Sequence, residues 1–484
     1  MTFNSFEFLL FYPIVALLYF VLPKKLKWPM LLVASYYFYM CYRADLVVLI
    51  FLTTLVSWGM SMLVERTESK GLRRLYLTVT LVVCLGVLFF YKYFDFLSLS
   101  AVSLVKLFGV EASPLILNLA LPVGISFYTF QTLSYVIDVY RGDIECERNF
   151  FFFALFVSFF PQLVAGPIER PGNLIPQLKE PHKWNNADAL KGAKHMLVGF
   201  FKKVVVADGI SVFVDAIYNR PESATGLGVL VATCLFAVQI YCDFSGYTDI
   251  AIGCSRVMGI RLMQNFDHPY RATSIKEFWS RWHISLSSWF RDYLYIPLGG
   301  NRVGRVRHLL NLLIVFLVSG LWHGAAWTFV VWGALHGIYQ IVGNLTVKGR
   351  NALLSRVGLS PEHPLVRAVR TVFTFLLVGF AWIFFRSSSM TDAMTLLRAL
   401  FTNWSGLGAS LEAMGLTLVP ILTTVLSLLL LYMLDELLIY GDEPDGSAVL
   451  VQNGSFVILV WIVVIAWGFL LSKGMASTFI YFQF

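Results

Sequence analysis

Long apolar runs, separated by short charged stretches, make up most of this chain. They fall roughly at 5–22, 29–41, 46–64, 75–93, 114–138, 150–165, 195–218, 227–258, 309–345, 369–386, 414–434 and 456–472. A helix needs about 20 apolar residues to cross a hydrocarbon core of about 30 Å. Several runs are that long, and 309–345 is long enough for two crossings. Others are short or broken and predict re-entrant segments. A barrel would show short alternating strands instead of continuous runs. The pattern therefore predicts an all-α fold: a polytopic integral membrane helical bundle with re-entrant and interfacial helices.

Residues 261–308 break the pattern by mixing charges with aromatics. Within them, "KEFWSRWHISLSSWFRDYLY" (276–295) fits a helical wheel. Phe278, Trp282, Leu286, Trp289 and Tyr293 recur every three or four residues and share one face. Lys276, Ser280, His283, Ser287 and Arg291 share the other. This predicts one amphipathic helix at the cytoplasmic interface, with His283 in its polar stripe.

Composition agrees with a membrane protein. The chain is 58% hydrophobic with 14% charged residues, against about 25% in a soluble chain. Its net charge of +8 does not imply nucleic acid, because the basic excess sits in loops. "KKLK" (24–27), "ERTESKGLRR" (65–74), "NRVGRVRH" (301–308) and Lys348 to Arg370 read as cytoplasmic by the positive-inside rule. That places the N-terminus and the tail outside. The first run lacks a basic leader and reads as a retained span. The six cysteines form no metal-type cluster and are expected to be small core residues.

The candidate chemistry lies in polar groups inside apolar runs. In "VFLVSGLWHGAAWT" (315–328), His323 stands among Gly320, Gly324, Ala325 and Ala326, and Leu309 to Val347 contains no Asp, Glu, Lys or Arg. Ionisable groups at such depth face the protein interior or a water-filled cavity. The small neighbours leave space for a substrate or for a close backbone. A structural histidine hydrogen-bonded between helices is the plainer alternative, and it is the favoured one for His336. Asp243 and Asp249, in "QIYCDFSGYTDIAIG" (239–253), read as hydrogen-bonding glue or a polar path. The terminal "FIYFQF" (479–484) is an interfacial anchor or a plug that folds back.

Long motifs bring a resemblance. "GISFYTFQTLSYVIDVYRG" (124–142), "FPQLVAGPIER" (160–170), "QIYCDFSGYTDIAIG", "EFWSRWHISLSSWFRDYLYIPLGGNR" (277–302), "GLWHG" (320–324) and "AWIFFRS" (381–387) together resemble the membrane-bound O-acyltransferase family, in its bacterial cell-envelope branch. The match is dense from about 120 to 390, which implies one membrane-embedded domain over 1–484 with its catalytic core there.

The resemblance implies that His323 is the catalytic histidine and His283 the second histidine. It implies that Phe479, Tyr481 and Phe484 form an acyl-transfer motif in the tail 473–484, with Tyr481 carrying the acyl group. It also implies acetyl-CoA as acyl donor, with no permanently bound cofactor and no metal. Arg291 and Arg302 become candidates for contacts with the CoA phosphates. The chain shows no appended soluble domain, so a separate periplasmic SGNH-type acetyltransferase partner is expected to finish transfer to a polysaccharide or other envelope polymer, from the bacterial inner membrane. Besides these, membrane lipids are its expected surroundings and nucleic acid is not a partner. The rival is a transporter or flippase for lipid-linked sugars, with the intramembrane histidines and aspartates as a proton relay. Inverted repeats would favour it, and none is evident.

Overall fold

The computed structural model describes residues 1–164, 166–404 and 406–434. Every regular element among them is helical. In chain order they are α1 (Phe6–Val21), α2 (Lys24–Met40), α3 (Val47–Arg66), α4 (Lys70–Leu88), α5 (Phe94–Lys106), α6 (Ile125–Arg141), α7 (Phe150–Ser158), α8 (Phe160–Leu163), α9 (Pro171–Lys179), α10 (Asn186–Phe200), α11 (Asp208–Tyr218), α12 (Gly226–Val257), α13 (Ile275–Arg281), α14 (Ile284–Phe290), α15 (Arg305–His323), α16 (Trp327–Arg356), α17 (Pro364–Arg386), α18 (Met390–Thr402), α19 (Leu407–Ala413) and α20 (Leu418–Leu434). Wider π-helical turns join α4 to α5 (Phe89–Tyr93) and α10 to α11 (Phe201–Ala207). Among the described residues five helical stretches are long and apolar enough to cross a membrane: Ala44–Arg66, Lys70–Lys106, Gly226–Val257, Arg305–His323 and Pro364–Arg386. The all-α polytopic expectation holds.

The helices form two compact units. One comprises Met1–Gly192 with Cys254–Gln264 and Ser288–Pro297; the other comprises Ala193–Gly253, Asn265–Ser287 and the described residues from Leu298 to Leu434. In the first, α3, α4 and α6 pack on one another, and α7 packs on α2 and α9. In the second, α15 and α16 form a hairpin on which α17 and α13 pack.

The run at 114–138 is only half a helix. Residues 110–122 are irregular, and α6 starts after Gly124, whose left-handed φ of 72° caps it. Pro114 and Pro122 oppose helix there. The Asp95 carboxylate accepts the Leu117 and Asn118 amides at 2.8 and 3.0 Å, satisfying part of that backbone. A side chain at position 124 would meet the Leu163 carbonyl oxygen at 2.5 Å, so the tight approach of the 163 segment also requires glycine. The run at 150–165 is likewise broken, at Phe159, into α7 and α8. Cys41 departs from the expected burial of the cysteines: it is exposed. The run at 456–472 and the terminal motif with Tyr481 lie outside the described residues.

The predicted amphipathic helix over 276–295 is two helices and a π-turn. Ser274 caps α13 by accepting the Glu277 amide at 3.2 Å, and Glu277 reaches back to the Thr273 amide at 2.8 Å. The helix then stops at Trp282, which is extended, and His283 takes a left-handed φ of 44°. Phe278, Trp282, Leu286 and Trp289 are all buried, as the wheel required. The polar stripe fails at its centre: the left-handed turn carries His283 to full burial, while Lys276 and Ser280 stay exposed.

Candidate active site

His323 ends α15 and does not stand in the middle of a span. Gly324 to Ala326 break the chain before α16 begins at Trp327. The surrounding small residues are explained by close packing of the hairpin. A Cβ on Gly320 would lie 2.3 Å from the Phe329 carbonyl oxygen, and one on Gly333 would lie 2.3 Å from that of Phe316. At Gly324 it would strike the Phe329 ring at 2.1 Å. The space anticipated beside the imidazole is therefore filled by backbone and by Phe329. This contact fixes where α15 ends, and so where His323 sits.

Aromatic rings surround the His323 imidazole. Trp322, Trp332 and Phe385 lie with centroids at 5.0, 4.9 and 5.5 Å, all edge-on to it. The His283 ring lies 6.5 Å away. His283 in turn meets the edges of Phe244 (4.6 Å) and Trp322 (5.8 Å). The fold thus brings together two histidines separated by 40 positions in the sequence, both nearly sealed from solvent. Burial pushes the His283 imidazole down to about 3, because the charged form is the one that loses hydration.

Asn265, missed in the sequence, anchors His283. Its Oδ1 faces His283 Nδ1 at 3.1 Å and accepts the Ser285 amide and hydroxyl at 3.2 and 2.9 Å. Its carbonyl accepts the Ile284 amide at 2.9 Å. The break after α13 lets the side chain and backbone carbonyl of one residue together reach three successive residues, and a helical wheel hides that break. His336 sits deeper in α16. The Trp279 indole donates to its Nδ1 at 3.2 Å, and Phe278, Phe316 and Trp332 pack around it. This is the structural role favoured for it.

Asp243 and Asp249 belong to a buried ion-pair cluster. The Lys203 ammonium bonds to Asp208 at 2.8 Å and to Asp243 at 2.6 Å, and Lys202 bonds to Asp249 at 2.9 Å. The two lysines went unremarked in the sequence, where they lie inside the apolar run 195–218. The π-turn swings both of them inward. Phe244 follows Asp243 on α12, so the helix that receives the lysine also carries the ring against His283.

The two arginine candidates lie elsewhere. Arg291 is mostly exposed, pairs with Asp292 at 2.8 Å and belongs to the first unit. Arg302 is exposed in the second unit. Neither makes a described contact with either histidine.

A helical membrane fold with a sealed histidine pair at a helix break is the frame in which comparison with known proteins becomes informative. Residues 31–353 match the model of the membrane-bound O-acyltransferase family, and the chain belongs to that family of membrane acyltransferases. It is 39% identical over 456 residues to the probable alginate O-acetylase AlgI of Azotobacter vinelandii, covering 92% of this chain and 87% of that protein. It is 33% identical over 421 residues to the peptidoglycan O-acetyltransferase of Helicobacter pylori (81% and 77%). A more distant relative is the teichoic acid D-alanyltransferase of Bacillus subtilis, 30% identical over 246 residues (48% and 61%). An acyltransferase, and not the rival transporter, is therefore the class of this protein.

Proposed function

We propose that this acyltransferase takes acetyl from cytoplasmic acetyl-CoA and passes it across the bacterial inner membrane for O-acetylation of an exopolysaccharide or cell-envelope polymer. The alginate and peptidoglycan O-acetylating relatives support the acetyl group and the polymer acceptor. The observation that supports the reading is the meeting of His323 and His283, both buried, in one cluster of aromatic rings.

A thioester is already activated, so the protein's task is to supply a base and exclude water. In this reading His323 takes the proton of the attacking hydroxyl. The oxygen attacks the thioester carbonyl carbon, the C–S bond breaks, and the proton passes from His323 to the leaving thiolate. Tyr481 is the first acceptor. A phenol with a pKa of about 10 needs such a base to react. A periplasmic SGNH-type partner then moves the acetyl group to the polymer. Arg302 and Arg291 remain candidates for the CoA phosphates.

Two measurements test this. Purified protein should release CoA thiol from acetyl-CoA when given an acceptor, and a transporter would not. Tyr481→Phe keeps the ring and removes one oxygen. It should abolish labelled acetate on the polymer at normal protein level, and normal labelling would assign the acetyl group another route.

A further inference from the structure

Asn265 decides which nitrogen of His283 carries the hydrogen. The Ser285 amide at 3.2 Å can only donate, so the Asn265 atom it meets is the oxygen and not the NH2 group. An amide oxygen only accepts. His283 Nδ1, 3.1 Å from the same oxygen, must therefore be the donor. A neutral imidazole with hydrogen on Nδ1 has its lone pair on Nε2. His336 makes the contrast within the same unit: the Trp279 indole donates to its Nδ1, so its hydrogen is on Nε2. Two buried imidazoles are locked in opposite tautomers by an acceptor in one case and a donor in the other.

We infer that Asn265 is a positioning residue that holds His283 as a hydrogen-bond acceptor at Nε2, serving the imidazolium that His323 becomes during transfer. This rests on the proposed roles of the two histidines. With ring centroids 6.5 Å apart, the nearest nitrogens approach no closer than about 4 Å, which is too long for a direct hydrogen bond, so the link between the rings runs through a third group. No proton is consumed at His283. It accepts a hydrogen bond while His323 holds the proton taken from the hydroxyl, and the proton then leaves with the thiolate. The strained left-handed backbone at His283 and the four bonds between Asn265 and residues 283–285 serve the same end, which is one ring orientation. Burial, which disfavours the charged ring, keeps His283 neutral and able to accept.

The test uses full-length protein labelled with 15N-histidine, with the His283 signal assigned by its loss in His283→Gln. The expected wild-type spectrum shows hydrogen on Nδ1 of His283. Asn265→Leu should slow CoA thiol release by about 10²–10⁴-fold with little change in donor KM. Asn265→Asp retains an acceptor for Nδ1–H and for Ser285, and should keep activity within about tenfold of wild type. Its carboxylate should also move the acidic limb of the pH–rate profile upward. The described groups packed on the ring are Phe244, Trp322 and His323. Hydrogen on Nε2 in wild type, or an Asn265→Leu enzyme with wild-type kcat and pH limb, would overturn the inference. Hydrogen on Nδ1 together with full activity of His283→Gln would instead overturn the catalytic reading of His283, and with it the role of Asn265 in transfer.

Discussion

Lys203 and His323 are both nearly sealed from solvent within one unit, yet their surroundings are built differently. Around Lys203 the protein has answered charge with charge, placing Asp208 and Asp243 within 2.8 Å. Around His323 it has placed rings, and the other titratable group in described contact is a second imidazole. An ion pair fixed on both sides resists any change of protonation. On the proposed reading, the His323 imidazole, walled by aromatic rings, accepts a proton and gives it back. The contrast separates scaffold from chemistry among buried polar groups that the sequence presents alike.

Substitution at each centre should sharpen the difference. His323→Ala should lower acetyl transfer by about 10²–10⁴-fold, the usual worth of a general base, with insertion and protein level unchanged. Labelled acetate on polymer, read beside an immunoblot, checks both halves, and near-normal labelling would remove His323 from the mechanism. Lys203→Met should do the reverse. It strands two buried carboxylates, which costs about 3–5 kcal/mol, and should appear as lost yield and a lower melting temperature in detergent. Adding Asp208→Asn and Asp243→Asn should recover most of that loss. A triple variant as unstable as the single one would mean that the lysine acts through something other than its charge.

Gly320→Ala tests whether the hairpin sets the place of His323. The added methyl would sit 2.3 Å from the Phe329 carbonyl oxygen. Overpacking of this kind costs about 1–3 kcal/mol, and activity should fall further than stability because His323 lies one turn away. A variant with wild-type melting and turnover would show that the backbone contact is dispensable.

The smallest effect concerns pH. Free histidine titrates near 6.5, and His283 in the fold does so at about 3. Its folded value is depressed, so its contribution to stability is present above 6.5 and is lost as pH falls toward 3. Between pH 7 and 5.5 the wild type should lose about 1 kcal/mol more than His283→Gln. Parallel melting curves across that range would assign the acid sensitivity to other groups.

The long spans were legible because apolar runs are local features, the family was legible in long motifs and not in span count, and the two histidines stood out as candidates only. The sequence did not reveal what depends on the breaks. Periodicity placed His283 on a solvated stripe, since a wheel assumes that φ stays helical through position 283. Lys202 and Lys203 passed unremarked inside the run 195–218, because a π-turn leaves no periodic trace. Asn265 carried no signal at all: its partners are 18 to 20 residues away and meet it only through the turn at His283. The small residues around His323 left two readings open, room for a substrate or a close backbone, and what approaches the glycines is Phe329 and the α16 backbone.

The unbroken path from Lys70 to Lys106 has a mechanical consequence. Its 37 residues extend about 55 Å at 1.5 Å per residue, nearly twice a hydrocarbon core of about 30 Å. Tilting within the usual range of about 0–40° cannot absorb that excess. Leu104, Leu107 and Phe108 are strongly exposed at its far end, so the overhang is greasy and must lie along the headgroups or thicken the lipid around it. The π-turn at Phe89–Tyr93 is the place along this path where a bend can lay its second half along the bilayer surface.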